Sequence, residues 1–211
     1  FSRFTNHTFT RTPQPASLRQ EQLAVSAKIA GELSERFPDV HVVPQFREIR
    51  IADQYSIEGK GIIKLLASWH HPDFGRDRDS EKFSKVETFL RDLLQDSAIR
   101  LEVSHTQDRI LVTKSGLRLP LDSLGTGIHE LIILSVAVLS HDQGVVCIEE
   151  PEIHLHPLLQ RRFLDFLRHE TSNYYIITTH SSALIAPSDD TAVTHLWLEN
   201  GVTKSRLVET D

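Results

Sequence analysis

Val145-Val146-Cys147-Ile148-Glu149-Glu150-Pro151-Glu152-Ile153-His154-Leu155-His156-Pro157 is the stretch on which the reading of this chain turns. Its first four residues form an apolar run that stops abruptly at two acids. That is the pattern of a central parallel strand whose carboxylates emerge at the C-terminal edge of a sheet, where α/β proteins hold their ligands. Burying one carboxylate is costly and two adjacent ones repel. Glu149 and Glu150 therefore make chemical sense beside a cation, or beside a water that needs polarising. Taken in isolation, the same pair reads more simply as a strand end entering solvent.

Moving outward, Pro157 sits where a first helical turn tolerates proline, and Leu158, Leu159, Phe163, Phe166 and Leu167 continue at helical spacing. Tyr174 to Thr178 reads as a second buried strand, so strand, helix and strand form a βαβ unit. It ends in a polar tip, Thr179-His180-Ser181-Ser182. On the other side, Ser123-Leu124-Gly125-Thr126-Gly127 precedes an almost continuously apolar segment, Gly127 to Ser140, of a length suited to a buried helix. Hydroxyls and flexible backbone at a helix N-terminus attract anions, because the N-H groups there have no intrahelical partner.

Further out the signals are simpler. Asn200-Gly201 between Ala192–Glu199 and Val202–Val208 marks a hairpin. Arg100–His105, Arg109–Thr113 and Leu117–Leu121 alternate and are split by turn residues such as Lys114, Ser115 and Gly116, which predicts an antiparallel meander. Phe83, Val86, Leu90, Leu93 and Leu94 define a helical face from Ser80 to about Gln95. Gly59–Trp69 reads as a short helix. His41–Ile51 reads as extended, with Pro44 interrupting it or marking an edge. Ser17 and Gln20 have the spacing of a capping box before a helix reaching Phe37. Three segments result: a connector and N-terminal helix over 1–40, a mixed helical and meander region over 41–118, and an α/β segment over 119–211.

Composition closes off several classes. The chain has 211 residues, 23 Lys+Arg against 29 Asp+Glu, and 39% apolar residues, enough for a real core. The net charge of -6 offers no general attraction to phosphate backbones. Cys147 is the single cysteine, which excludes an internal disulfide framework or a multi-Cys metal site and fits a reducing cytoplasm. No apolar run approaches the ~20 residues that span a bilayer, and no signal peptide is evident, so no membrane partner is expected. The chain begins at Phe1 and contains no Met, which reads as a piece of a longer protein.

Together and in this order, the three motifs resemble the C-terminal half of an ATP-binding-cassette (ABC-type) ATPase of the RecF, SMC and OLD-like group, AAA-type ATP-binding proteins. Ser123, Gly125, Thr126, Gly127 and the helix after them resemble the signature loop. Val145 to Glu150 resembles the Walker B strand, and Pro151 to Pro157 is similar to the E-E-P-E-x-x-L-H-P continuation of this group. His180 falls at the switch histidine. The likeness is strong over 119–185 and only general over 41–118.

What the resemblance implies is an α/β fold, the C-terminal part of an ABC-type P-loop NTPase with parallel core strands, flanking helices and antiparallel hairpins. It also implies ATP and Mg2+ as cofactors. Glu149 would hold the water shell of the metal, and Glu150 would polarise the attacking water. His180 would hydrogen-bond the γ-phosphate, and Ser123 and Gly125 would reach the γ-phosphate of a nucleotide held by a second protomer. An ATP-dependent homodimer follows, with DNA or a nuclease as partner by analogy. A nucleotide-dependent scaffold that dimerises without turnover is the alternative.

Two departures accompany the likeness. Many members carry Asp at the Glu149 position, which bears on metal geometry. There is also no Walker A loop G-x-x-x-x-G-K-S/T, since the only Gly-Lys pair, Gly59-Lys60, is followed by Gly61. The phosphate cradle is therefore expected in a segment upstream, and the isolated piece is expected to be inactive. Other constellations fail. His129-Glu130 starts like a zincin helix, but Ile133 stands at the second His position. Asp73, Asp77 and Asp79 lack the Gly and Glu of a calcium loop. Glu152, His154 and His156 could bind zinc, but alternating polar residues in an exposed loop explain them more simply.

Overall fold

The computed structural model describes residues 38–185 and 191–208. The chain divides into two compact units, Phe1–Asp39 and Val40–Asp211, and the description concerns the second. The helix expected between Ser17 and Phe37 lies outside the described residues.

The strand ending in the two acids is central, as its sequence predicts. β5 (Val145–Glu149) lies between β1 (Val40–Val43) and β6 (Tyr174–Thr178), parallel to both. Val43, Ile148 and Ile177 share one register position, so all three strands end at the same edge. The side chains on one face of this sheet enter the core: Val43, Val146 and Ile148 are fully buried, and Tyr175 and Ile177 pack against them. Alternate residues point the other way, and Val40, Val42, Tyr174 and Ile176 are exposed. The apolar composition of Tyr174–Thr178 predicts burial on both faces. The strand is in fact buried on one, because the core and its helices cover a single side of the sheet among the described residues.

The crossover from β5 to β6 is α4 (Pro157–Glu170). Pro157 occupies its first turn, and the His156 ring accepts a hydrogen bond from the Leu158 amide. Phe163 on α4 is fully buried, and Phe166 stacks on Phe89 of α2 (Asp77–Leu94). α2 begins earlier than its apolar face predicts, at Asp77. Asp77 and Asp79 place negative charge at the positive end of the helix, which extends it into the polar stretch. α3 (Thr126–Leu139) is buried almost all round, from Leu131 to Leu139, as its unbroken apolar sequence requires. α1 (Ile62–His70) packs its apolar side into the same core.

The meander forms as expected from β2 (Arg100–Val103), β3 (Ile110–Lys114) and β4 (Leu117–Pro120), all antiparallel neighbours. Its tight turn puts Ser115 and Gly116 at φ of 51° and 77°. The second hairpin, β7 (Val193–Glu199) with β8 (Val202–Val208), turns on Asn200 and Gly201 at φ of 51° and 76°. Left-handed conformation at both central residues matches the twist of the flanking strands, which is why Asn-Gly serves there.

Two measurements check this packing. Phe163→Ala leaves a cavity in the core and should lower unfolding free energy by about 3–5 kcal/mol in urea titrations. His70 lies against both His71 and Phe83, at 4.2 and 4.4 Å between ring centroids. Burial, and then the adjacent His71 charge, pulls its pKa below the ordinary 6.5. A folded value below the unfolded one favours the neutral ring in the native state. That stability is fully present above the unfolded pKa and is lost as pH falls through the depressed folded value. The urea midpoint should therefore drop between about pH 8 and about pH 5, and drop less in His70→Phe.

Candidate functional site

Three parallel strands that end together deliver three polar tips to one place. Gln45 follows β1, Glu149 and Glu150 close β5, and His180 follows β6. The backbone amide of Gln45 donates to Glu149 Oε2 at 3.2 Å, and its side-chain Nε2 donates to Glu150 Oε2, also at 3.2 Å. His180 Nε2 lies 3.7 Å from Glu150 Oε1. Glu150 is thus approached from both neighbouring strands, and its side chain is 30% exposed while that of His180 is 89% exposed. A half-covered carboxylate beside an open imidazole leaves access for a solvent molecule or a ligand.

The backbone there is held in an uncommon shape. Glu150 has φ of 42°, left-handed for a residue with a Cβ, and its amide donates to the Thr178 carbonyl at 2.9 Å. Such a conformation costs on the order of 1–3 kcal/mol and persists only where its surroundings impose it. The next acid in the run, Glu152, accepts the His180 amide on Oε1 at 2.6 Å, while its Oε2 is buried without a partner. The His180 backbone is fixed further by Ser181, whose hydroxyl donates to the buried Gln160, which in turn donates to the Leu155 carbonyl at 2.8 Å. Thus the acidic loop after β5 and the tip after β6 are joined into a single unit.

A second set of contacts ties this loop to α3. The Arg47 side chain is fully buried. Its Nε donates to Glu130 Oε2 of α3 at 2.8 Å, its Nη1 to the carbonyls of Pro44 and Glu149 at 2.9 and 3.0 Å, and its Nη2 to the Glu150 carbonyl at 3.3 Å. His154 Nδ1 approaches Glu130 Oε1 at 3.6 Å. One turn earlier on the helix, a Cβ on Gly127 would stand 2.9 Å from the His154 carbonyl oxygen, so only glycine admits this approach.

The N-terminus of α3 is built differently. Ser123, Gly125 and Thr126 are exposed and Gly127 half-buried. Gly125 caps the helix at φ 84° and ψ 156°, a region essentially reserved for glycine, and no side chain caps the first turn. His129 steadies the loop by donating from Nε2 to the Leu121 carbonyl at 2.9 Å. The Ile128 amide bonds back to the Gly125 carbonyl at 3.3 Å, and the two first-turn N-H groups before it, beside exposed residues, suit an anion. Among the described residues, no hydrogen bond or ion pair links Ser123, Gly125 or Thr126 to Glu149, Glu150 or His180. Within one chain, then, Gln45, Glu149, Glu150, Glu152 and His180 form one cluster. The Ser123–Gly127 loop shares no hydrogen bond or ion pair with it among the described residues, and is joined to it through Gly127 against the His154 carbonyl and through the Arg47 and Glu130 contacts.

Gln45 and Arg47 are not singled out by sequence reasoning. The local signal is weak: Val40-His41-Val42-Val43 carries a histidine, and Pro44-Gln45-Phe46-Arg47 after it alternates apolar and polar residues, unlike the polar ends of the other two strands. Parallel pairing with Val145–Ile148 makes Gln45 and Glu149 neighbours across a long separation. The zinc candidates disperse: His156 caps α4, His154 faces Glu130 and Glu152 holds His180. No group of three or more His, Cys, Asp or Glu able to hold a metal by itself occurs among the described residues.

A family model described as an AAA ATPase domain matches residues 20–185. None of the curated proteins matches. Among solved structures, one from work on ATP-driven dimerization and DNA-stimulated activation of SMC ATPases aligns with 11% identity and a TM-score of 0.51, covering 70% of this chain and 88% of that one. An SMC head bound to the C-winged helix domain of ScpA aligns with 14% identity and a TM-score of 0.52, covering 69% and 49%. The SMC head domain of Thermotoga maritima gives 19% identity and a TM-score of 0.47, covering 71% and 52%. The chain spans about half the length of the last two, and it shares the mixed α/β fold of SMC heads.

Gly127→Ala tests the contact of α3 with the acidic loop. The added Cβ meets backbone rather than a movable side chain, so the variant should lose about 1–3 kcal/mol of stability. Thermal unfolding beside Gly125→Ala, whose added Cβ meets nothing within 4 Å, separates this steric clash from backbone strain.

Proposed function

Because the chain belongs to the AAA ATPase domain family, we propose that it contributes to a composite site hydrolysing ATP to ADP and phosphate. The observation that carries this reading is the convergence of Gln45, Glu150 and His180, from three separate strands, around one half-exposed carboxylate. Phosphoryl transfer asks mainly for positioning and charge neutralisation. A general base needs a carboxylate within reach of a water, held so that its lone pairs face the attack line. Glu150 meets that need, with the Gln45 amide orienting one oxygen and the His180 ring beside the other. His180, largely exposed at the strand tip, would donate to a phosphate oxygen.

The donor set fits Mg2+. The ion prefers hard oxygens and keeps several waters, so one or two carboxylates with substrate phosphates suffice. Glu149, exposed at the strand end and partnered by a backbone amide, is the residue that would hold it through its water shell. When bound, the ion would neutralise charge on the phosphates. The longer side chain of Glu at this position, where Asp is common in the group, places the carboxylate further from the strand.

Ser123, Gly125, Thr126 and Gly127 present a helix end without a side-chain cap, and among the described residues no hydrogen bond or ion pair joins it to Glu150. It suits the γ-phosphate of a nucleotide bound by a second protomer, so ATP would be shared between two copies. The missing G-x-x-x-x-G-K-S/T cradle then has to come from another segment. The exposed apolar face at Val40, Val42, Tyr174 and Ile176 supports that requirement, since parallel sheets are ordinarily covered on both sides. A scaffold without turnover would need no carboxylate held between an amide and an imidazole, and the hydrolytic reading is therefore the stronger.

Glu150→Gln in the intact protein should lower phosphate release by ~10²–10⁴-fold while leaving ATP binding in place. The variant should accumulate as an ATP-bound dimer, seen as earlier gel-filtration elution with ATP. Turnover at the unmutated rate would remove Glu150 from this role.

A further inference from the structure

Arg47 makes more contacts than an ion pair requires. One nitrogen satisfies Glu130 on α3, and the other two reach the carbonyls of Glu149 and Glu150, the residues whose side chains form the catalytic edge. The pair is sealed from solvent, at 0% side-chain exposure for Arg47 and 8% for Glu130. A guanidinium is planar and rigid, so its donors cannot move independently. Any displacement of Glu130 with α3 is therefore passed to the peptide groups on either side of the Glu150 Cα, where φ is 42°. Two further contacts join α3 to the acidic loop, Gly127 against the His154 carbonyl, which is a steric stop, and Glu130 Oε1 with His154 Nδ1 at 3.6 Å, but neither touches the peptide groups flanking Glu150.

We infer that Arg47 is a positioning residue that, with Glu130, makes the alignment of the Glu150 carboxylate depend on the seating of α3. The helix that carries the exposed Ser123–Gly127 loop at its start carries Glu130 in its second turn. An anion engaging that loop thus acts on the same rigid element that holds the general base. The inference rests on the ATPase reading for its functional meaning, but the clamp itself is a property of the chain without nucleotide.

The test uses the intact protein with Arg47→Lys and Glu130→Gln. Lysine keeps the charge opposite Glu130 and cannot reach the two carbonyls together; glutamine keeps the shape and removes the charge. Each should cut kcat for ATP hydrolysis by ~10²-fold, the order expected from a misplacement of the reacting group of about 1 Å. KM for ATP should stay within about twofold, because no nucleotide contact is lost. Without nucleotide, hydrogen exchange at the amides of Glu150 and of residues 152–154 should be faster in both variants than in the unmutated protein. Unchanged kcat in both variants, or unchanged exchange at Glu150 and 152–154, overturns the inference. If the unmutated protein releases no phosphate, the ATPase reading falls and the exchange comparison alone decides the clamp. Should Arg47→Lys fail to fold by circular dichroism, Glu130→Gln carries both arms.

Discussion

A parallel strand that runs out into two adjacent carboxylates poses a physical problem, and most of this structure is its solution. The charges repel, the strand-end carbonyls lose their ladder partners, and the chain has to turn at once. Here the turn is taken at Glu150 itself, in a left-handed conformation that a glycine would adopt more cheaply. A glycine could not present a carboxylate at that point. The strain is tolerated because the Glu150 amide bonds to Thr178 on one side and its carbonyl accepts from the buried Arg47 on the other.

That arrangement explains why polar residues lie inside an apolar core. Removing one partner from a buried ion pair leaves a charge without compensation, whereas replacing both by apolar groups is often harmless to stability. Stability alone is therefore a poor reason for Arg47 and Glu130 to face each other between α3 and β5. What the pair adds is direction: it fixes which way the strand end points and ties that direction to one helix. Gln160 acts in a comparable way from α4, bridging the Leu155 carbonyl and the Ser181 hydroxyl so that the tip after β6 cannot drift from the acidic loop.

Much of this is legible in the sequence because it is local. The Val145–Glu149 run, Pro157 at a helix start, and the Ser115-Gly116 and Asn200-Gly201 turns each depend on a few consecutive residues, and each forms as its sequence predicts. The motif order also suffices to identify the ATPase fold. Gln45 and Arg47 are not legible, since their partners lie about a hundred positions away and only the parallel pairing of β1 with β5 brings them together. The exposed face of β6 escapes the sequence for a related reason. Apolar residues on both faces of a strand say that both can be buried, but not what is there to bury them.

The two ends of the site are made of opposite materials, and that contrast bears on how it works. Around Glu150 nearly every polar atom has a partner and the backbone is over-determined. Around Ser123 and Gly125 the backbone is open, the helix end is uncapped and the residues are exposed. A catalytic carboxylate benefits from the first condition, because pre-set geometry needs no reorganisation when charge develops. A surface that has to meet and leave an anion on another molecule benefits from the second. α3, buried along almost its whole length, joins them as a stiff rod. On the proposed reading, an open loop before its first turn, with the Gly127 stop and the Arg47–Glu130 clamp just beyond, would let an arriving ligand be felt at the strand end without loosening the strand end itself.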